Sequence, residues 1–251
     1  MNFTFHVEPA TFLERPNRYV IHARLHGSGE VVRAHCPDPG RLQELLIPGA
    51  VVHLDQADVL TRRTTHTLRF VEHPDHGQLV SLNTQLPNAV FREGWESGFF
   101  PQFRGYAQIR REVSLPTSQE GVTSRIDFQL RAEDGRVCWV EVKSASLVID
   151  GIALFPDAPT LRGRRHVDEL IERVHRGEDA AVIFIVQRPD AVRFSPYAER
   201  DPEFAAALTR AADNGVSIYA YTCDLTTRSI RLAQEIPVVL GRESKRLEIR
   251  D

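Results

Sequence analysis

The sequence has few lysines and cysteines and no long apolar run, and each shortage excludes something. No stretch approaches the roughly 18 apolar residues needed to cross a bilayer, so no membrane partner is expected. The start, Met1 to Ala10, has neither a basic segment nor a continuous apolar one, so no signal peptide is expected. Cys36, Cys138 and Cys223 are odd in number and far apart, form no metal-ligand pair, and fit a reducing, cytoplasmic setting. A formal net charge of −3 excludes a polyelectrolyte binder, so any nucleic-acid affinity must come from a local basic patch. With 42% hydrophobic and 26% charged residues, disorder is excluded as the main state.

The lysine shortage is informative in itself. Only Lys143 and Lys245 are lysines among 31 basic residues, which leaves 29 arginines. Arginine serves almost wherever a positive charge suffices. A lysine kept inside a structured segment therefore raises the question of chemistry, because its compact ammonium has a shiftable pKa and a guanidinium does not. The bland alternative is chance.

Residues 1–83 read as an OB-like β-barrel domain. Tyr19 to Leu25 and Glu30 to Cys36 are strand-like around His26-Gly27-Ser28-Gly29, and Thr67 to Glu72 and Gln78 to Asn83 form a second hairpin. Pro37-Asp38-Pro39-Gly40 is a strong break, and Ala50 to Leu54 another strand. Some five short strands in such a stretch suggest a closed barrel. Residues 84–241 change texture, in the order α-β-β-β-α-β-α-β. Thr84 and Pro87 start a helix through Asn88 to Trp95, Pro159-Thr160 opens a long helix ending at Gly177, and Pro202 to Asn214 is another. Tyr106 to Val113, Ser124 to Arg131 and Arg136 to Lys143 read as strands, Ala180 to Gln187 as a strand buried on both faces, and Val216 to Cys223 as the last. This is an α/β (α+β) pattern, a mixed sheet flanked by helices. Residues 242–251 read as a charged, frayed C-terminal tail.

Chemistry concentrates in one hairpin. Ile126, Phe128 and Leu130 alternate with polar residues, as do Cys138, Val140 and Val142, so each set is expected on one face. Opposed residues must share a face. A three-residue loop, Glu133-Asp134-Gly135 with a left-handed glycine, satisfies this and a two-residue turn does not. That register sets Asp127 across from Glu141 and Arg125 across from Lys143. Two facing carboxylates repel, and a divalent cation removes the penalty. Carboxylate oxygens suit Mg²⁺, which takes one or two of them and fills its shell with waters or phosphates. Lys143, on the face of Glu141, stands where it could orient an attacking water or stabilise the transition-state charge. Arg162, Arg164 and Arg165 at the start of the long helix form an anion-binding patch for phosphates. The bland reading is a solvated polar face, with the arginines paired to Asp168, Glu169 and Glu172. Arg41, with Arg33, Arg62 and Arg63 near in sequence, could meet nucleic acid at the barrel mouth, and Cys36 reads as a small buried cysteine.

Asp127 followed by Glu141-Val142-Lys143 within this element order resembles the PD-(D/E)xK nuclease core. His35-Cys36-Pro37-Asp38-Pro39-Gly40-Arg41, Asn83-Thr84, Ser124 to Phe128, Val140 to Ser144 and Phe155 to Gly163 further resemble signature segments of the SfsA (sugar fermentation stimulation protein) family. The resemblance spans nearly the whole chain. It implies an N-terminal OB-like barrel, a nuclease-like second domain and a DNA-binding role linked to regulation of sugar catabolism, with Asp127, Glu141 and Lys143 in the core motif. Ile126 stands where many such cores have proline. In this fold an upstream acid often completes the metal site; Glu93 and Glu112 are both candidates, and the sequence does not choose. The implied activity is Mg²⁺- or Mn²⁺-dependent phosphodiester hydrolysis, with Arg41, Arg125, Arg162, Arg164 and Arg165 contacting nucleic acid, most readily DNA; a homodimer is compatible with this. The competing expectation is a non-catalytic DNA-binding regulator on a nuclease scaffold.

Overall fold

A computed structural model of the chain describes residues 1–57, 63–115 and 124–241; Arg62 and the charged tail expected at 242–251, with Lys245, lie outside the described residues. Six strands make the first sheet: β1 (Val7–Asn17), β2 (Val20–Leu25), β3 (Val31–His35), β4 (Val51–Gln56), β5 (His66–Glu72) and β6 (Leu79–Ser81). Their order is β3-β2-β1-β4-β5-β6, and a further parallel pairing of β3 with β5, Ala34↔His66 and His35↔Thr67, closes five of them into a barrel. Alternation fills the barrel: Phe12, Ile21, Ala23, Ala34, Val52, Leu54 and Leu68 point inward and are buried. Leu42, Leu45 and Leu46 plug it from the segment after the Pro-Gly break.

The long strand β1 is absent from the sequence expectation, and it carries Pro9 and Pro16, which are unusual within a paired strand. The structure accommodates them. Pro9 pairs with His53 of β4 and turns its carbonyl, hence the side of its missing N–H, toward the end of β2, where it accepts from His26 N at 3.0 Å. Bulges between Phe12 and Glu14 and between Glu14 and Asn17 then let the β2 pairing run on toward Pro16.

The second sheet has the order β15-β14-β12-β9-β8-β7, built from β7 (Gln108–Leu115), β8 (Ser124–Arg131), β9 (Val137–Ala145), β12 (Asp179–Val186), β14 (Ser217–Leu225) and β15 (Ile230–Ile236). It is mixed: β9, β12 and β14 run parallel, while β7, β8 and β15 pair antiparallel. β12 is buried on both faces, as its continuous apolar run requires. Helix α1 (Leu86–Glu96) covers one face with Val90 and Phe91 against Phe128, Leu130 and Val140. α2 (Leu161–His175) and α3 (Pro202–Asp213) cover the other, where Val167, Leu170, Phe204 and Leu208 meet Trp139, Val182 and Phe184. Short strands β10 (Leu147–Ile149), β11 (Ile152–Phe155) and β13 (Arg193–Pro196) form a third sheet.

The helix ends follow their caps. Thr160 accepts from Gly163 N at 3.0 Å at the start of α2, and Asp201 accepts from Phe204 N at 2.9 Å at the start of α3. α1 departs from expectation. Its N-cap is Gln85 without a side-chain bond, and the hydroxyl of Thr84 instead reaches the Pro37 carbonyl of the barrel at 3.4 Å. Among the described residues no helix is long and apolar enough to cross a membrane.

Candidate active site

The hairpin of β8 and β9 pairs Phe128↔Val140, Gln129↔Trp139, Leu130↔Cys138 and Arg131↔Val137, the expected register. Its loop is Glu133-Asp134-Gly135, closed by Ala132 N to Arg136 O at 2.9 Å, with Gly135 at φ 90. Two expectations fail beyond it. The ladder stops at Phe128↔Val140, so neither Asp127 with Glu141 nor Arg125 with Lys143 is a paired position. Nor do the even apolar residues of β8 share one face: Ile126 packs in the cluster beneath α2, and Phe128 and Leu130 pack beneath α1. The change of face falls at Asp127, opposite the gap in the β7 ladder where Glu112 takes φ 51. An L-residue rarely adopts that conformation, and here it marks the kink that frees Asp127 from ordinary pairing.

Released from the ladder, Asp127 takes the place of a missing backbone partner. Its Oδ2 accepts from Val142 N at 2.8 Å and its Oδ1 from Asn88 Nδ2 of α1 at 2.9 Å. Glu141 lies on the α2 side of β9 and is buried. Its Oε1 accepts from both Lys143 Nζ and His166 Nδ1. Arg162 Nε donates to His166 Nε2 at 3.4 Å, which places the ring proton on Nδ1, toward Glu141. Glu141 Oε2 is buried with no hydrogen-bond partner.

The surroundings push the two carboxyls in opposite directions. Burial, then the neighbouring Glu141, pushes Asp127 up to about 6, against the Val142 N–H and Lys143. Burial also pushes Glu141 upward, but Lys143 and His166 outweigh it and bring the carboxyl down to about 2. At neutral pH both are ionised, with Lys143 beside them. Among the described residues no three His, Cys, Asp or Glu side chains gather closely enough to hold a metal by themselves. The donor set is therefore two carboxylates, one with an unused buried oxygen, which suits an ion that keeps waters or phosphates in its remaining positions.

Other expected residues scatter. Glu93 is engaged elsewhere: it binds the Met1 ammonium at 2.7 Å, about 140° round α1 from Asn88. Glu112 lies beside Asp127 by register but on the edge strand, half-exposed and 3.8 Å from Arg125. Arg162, Arg164 and Arg165 do not form one patch. Arg164 is tied to Glu203 of α3 and Arg165 to Glu169 at 3.8 Å, leaving Arg162 directed at the His166–Glu141 pair. Helical spacing spreads three near-consecutive residues over different faces. Arg41 borders a hollow that shares Pro39 and Gly40 with the cleft reaching Lys143. All three cysteines are free and buried, with Cys36 pushed by burial to about 11 and Cys138 and Cys223 to about 12, so none is a nucleophile. Sequence reasoning missed Asn88 and His166. The available signal was an ionisable side chain beside Val167 on the apolar stripe of α2.

Comparison with known proteins agrees with this architecture. The SfsA N-terminal OB domain matches residues 13–82, and the sugar fermentation stimulation protein RE domain matches residues 85–229. A sugar fermentation stimulation protein homolog of Chloroflexus aurantiacus is 42% identical over 96% of this chain and 89% of its own length. The homolog of Moorella thermoacetica is 41% identical over 92% and 96%. A solved structure of Pyrococcus furiosus SfsA in complex with Ca²⁺ superposes with a TM-score of 0.81 at 32% identity, covering 96% of this chain and 98% of that one. The chain, an OB barrel followed by a mixed-sheet domain, belongs to the SfsA family.

Proposed function

We propose that this protein binds DNA and hydrolyses its phosphodiester bonds at the Asp127–Glu141–Lys143 site with a divalent cation, Mg²⁺ or Mn²⁺. The observation that carries the reading is the unpartnered buried oxygen of Glu141 beside a second carboxylate. A buried acceptor left unsatisfied costs about 1–3 kcal/mol, and a cation removes that cost. The Ca²⁺ held by the Pyrococcus furiosus relative supports a divalent ion here as well. Asp127 and Glu141 would hold it, with Glu112 the nearer of the two upstream acids.

When bound, the cation supplies neutralisation of the phosphate charge and acidification of water. The chain's own residues do the rest. Asn88 and Val142 N–H fix the Asp127 carboxylate, and His166, itself oriented by Arg162, fixes Glu141. Lys143 holds one oxygen of Glu141 and has further N–H donors for the attacking water and the developing phosphorane charge. Arg125 and Arg162 flank the site as phosphate contacts. Two neighbouring acids favour catalysis over a purely binding scaffold, which gains nothing from them.

The test is cleavage of single- and double-stranded DNA and RNA with Mg²⁺ or Mn²⁺ by wild type and Lys143→Ala. Cleavage by wild type that Lys143→Ala loses by about 100-fold or more supports the reading. Failure of the wild type on every substrate, or equal rates, overturns it.

A further inference from the structure

A cleft of about 380 Å³ between the barrel and the mixed sheet ends at Lys143. Its floor is the end of β9 from Val142 to Ala145, with Ser146 after it. One wall is the Phe155 to Thr160 segment, and the other is the Asp38–Gly40 turn of the barrel. Past Pro39 and Gly40 it continues into a second hollow of about 430 Å³, bordered by Arg18 and Arg41.

The far end is built rather than incidental. The Arg15 guanidinium donates to four carbonyls, those of Arg18, Asp38, Gly40 and Arg41, and so pins the β1–β2 turn to the turn before Leu42. This consumes Arg15 and fixes the backbone of its two neighbours. The side chains of Arg18 and Arg41 are exposed, and among the described residues neither has an ion partner. Tyr19, in the same turn, is 52% exposed, among the largest apolar side chains left uncovered. In OB barrels the loop between the first two strands is a common nucleic-acid contact.

We propose that this groove carries a single DNA strand from the barrel to the Lys143 site, a reading that rests on the nuclease function above. Arg18 and Arg41 contact its phosphates, and Tyr19 stacks a base. The volume decides for one strand. It lies at the low end of the roughly 300–1,000 Å³ typical of pockets for one small molecule, room for a nucleotide unit and not for a duplex. The slot is also closed from behind. Leu42 N donates to Asp157 Oδ2 at 2.9 Å, and a Cβ on Gly40 would stand 2.8 Å from that oxygen. The lining sets the strand's orientation. Asp157 inside the cleft repels phosphate, so the backbone follows the cationic rim and the bases turn inward, where carboxylate and serine oxygens accept base N–H groups.

Fluorescence anisotropy tests this on the full chain, with a labelled oligodeoxynucleotide of roughly 12 residues and its blunt duplex, in Ca²⁺. The single strand is expected to bind more tightly. Tyr19→Ala weakens it about fivefold or more, and Tyr19→Phe, which keeps the ring, restores it. Arg18→Gln and Arg41→Gln each lower the salt slope by about 0.7. Equal affinity for strand and duplex, or unchanged binding in Tyr19→Ala and both arginine variants, overturns the groove. Cleavage in Mg²⁺ or Mn²⁺ separates the two readings. Strand binding that needs Tyr19 and Arg18 but leads to no cleavage upholds the groove and overturns the nuclease. Duplex cleavage at the wild-type rate by Tyr19→Ala and Arg18→Gln upholds the nuclease and overturns the groove.

Discussion

Replacing Asp127 by Asn is expected to stabilise the metal-free protein while abolishing its response to metal. In the folded chain the carboxyl is pushed up from 3.8 to about 6, chiefly because it is buried and then because Glu141 is beside it. The sign follows directly. With a raised folded pKa, the native state binds the proton more tightly than the unfolded chain does. The protonated form therefore favours folding, and that advantage is lost as pH rises from about 4 to about 6. Above this window the ionised group costs up to about 3 kcal/mol, at about 1.4 kcal/mol per pKa unit. The amide has no charge to bury. Its oxygen can accept from Val142 N–H, and its NH₂ can donate to Asn88 once that side chain flips. It gives back some energy, because a charged acceptor makes the stronger bond. The net gain expected is about 1–3 kcal/mol above pH 6, falling to about zero near pH 4.

Urea denaturation with EDTA at both ends of that window measures it, and a thermal scan reads roughly 3–10 °C at the upper pH. Added Mg²⁺ or Mn²⁺ raises the wild-type midpoint through linkage and leaves Asp127→Asn unmoved. The reasoning is refuted if Asp127→Asn is less stable than wild type at the upper pH, or if the difference is the same at both.

Three further outcomes follow from other parts of the molecule. Gly40→Ala places a methyl 2.8 Å from Asp157 Oδ2 and 2.9 Å from Asp38 Oδ1, both engaged in hydrogen bonds, so a loss of about 1–3 kcal/mol is expected in the urea midpoint; a wild-type midpoint contradicts the close approach. Thr160→Ala removes the cap on Gly163 N and should cost about 1 kcal/mol, with Thr160→Ser recovering most of it by the same measurement. The three thiols, raised to about 11 or 12 by burial, should react with a disulfide reagent only at the rate of unfolding; fast labelling of any one shows a site more open than described.

Much of this architecture is written in local pattern. Alternation and the Glu133-Asp134-Gly135 loop suffice for the β8–β9 register, because a one-residue slip would send every apolar side chain to the wrong face. Thr160, Pro202 and the glycines after the helices mark the ends of α2 and α3 for equally local reasons. What the pattern hides is tertiary. β1 carries two prolines, whose missing donors are tolerable only because of where β2 ends and bulges. The change of face at Asp127 depends on Glu112 across the ladder, in a strand whose own sequence gives no sign of a positive φ. The tie of Arg164 to Glu203 depends on where α3 packs against α2, whereas Arg165 and Glu169 pair within α2 as the sequence allows.

That change of face also explains why the acids meet where they do. β9 separates two apolar cores, one under α1 and one under α2 and α3, and a strand of strict alternation would give each core its own face and leave no room for polar groups between. Turning β8 over at Asp127 opens the ladder at the strand end, where Val142 N–H would otherwise lack a partner. The carboxylate that fills this vacancy is also held by α1, while Glu141 is held by α2, so the two acids are positioned by helices on opposite faces of the sheet. A network meant only to fasten these elements would use both oxygens of Glu141. Lys143 and His166 crowd onto one and leave the other bare, at a cost the fold could remove by substituting an apolar residue. Under the proposed function, that bare oxygen is the position a cation would take.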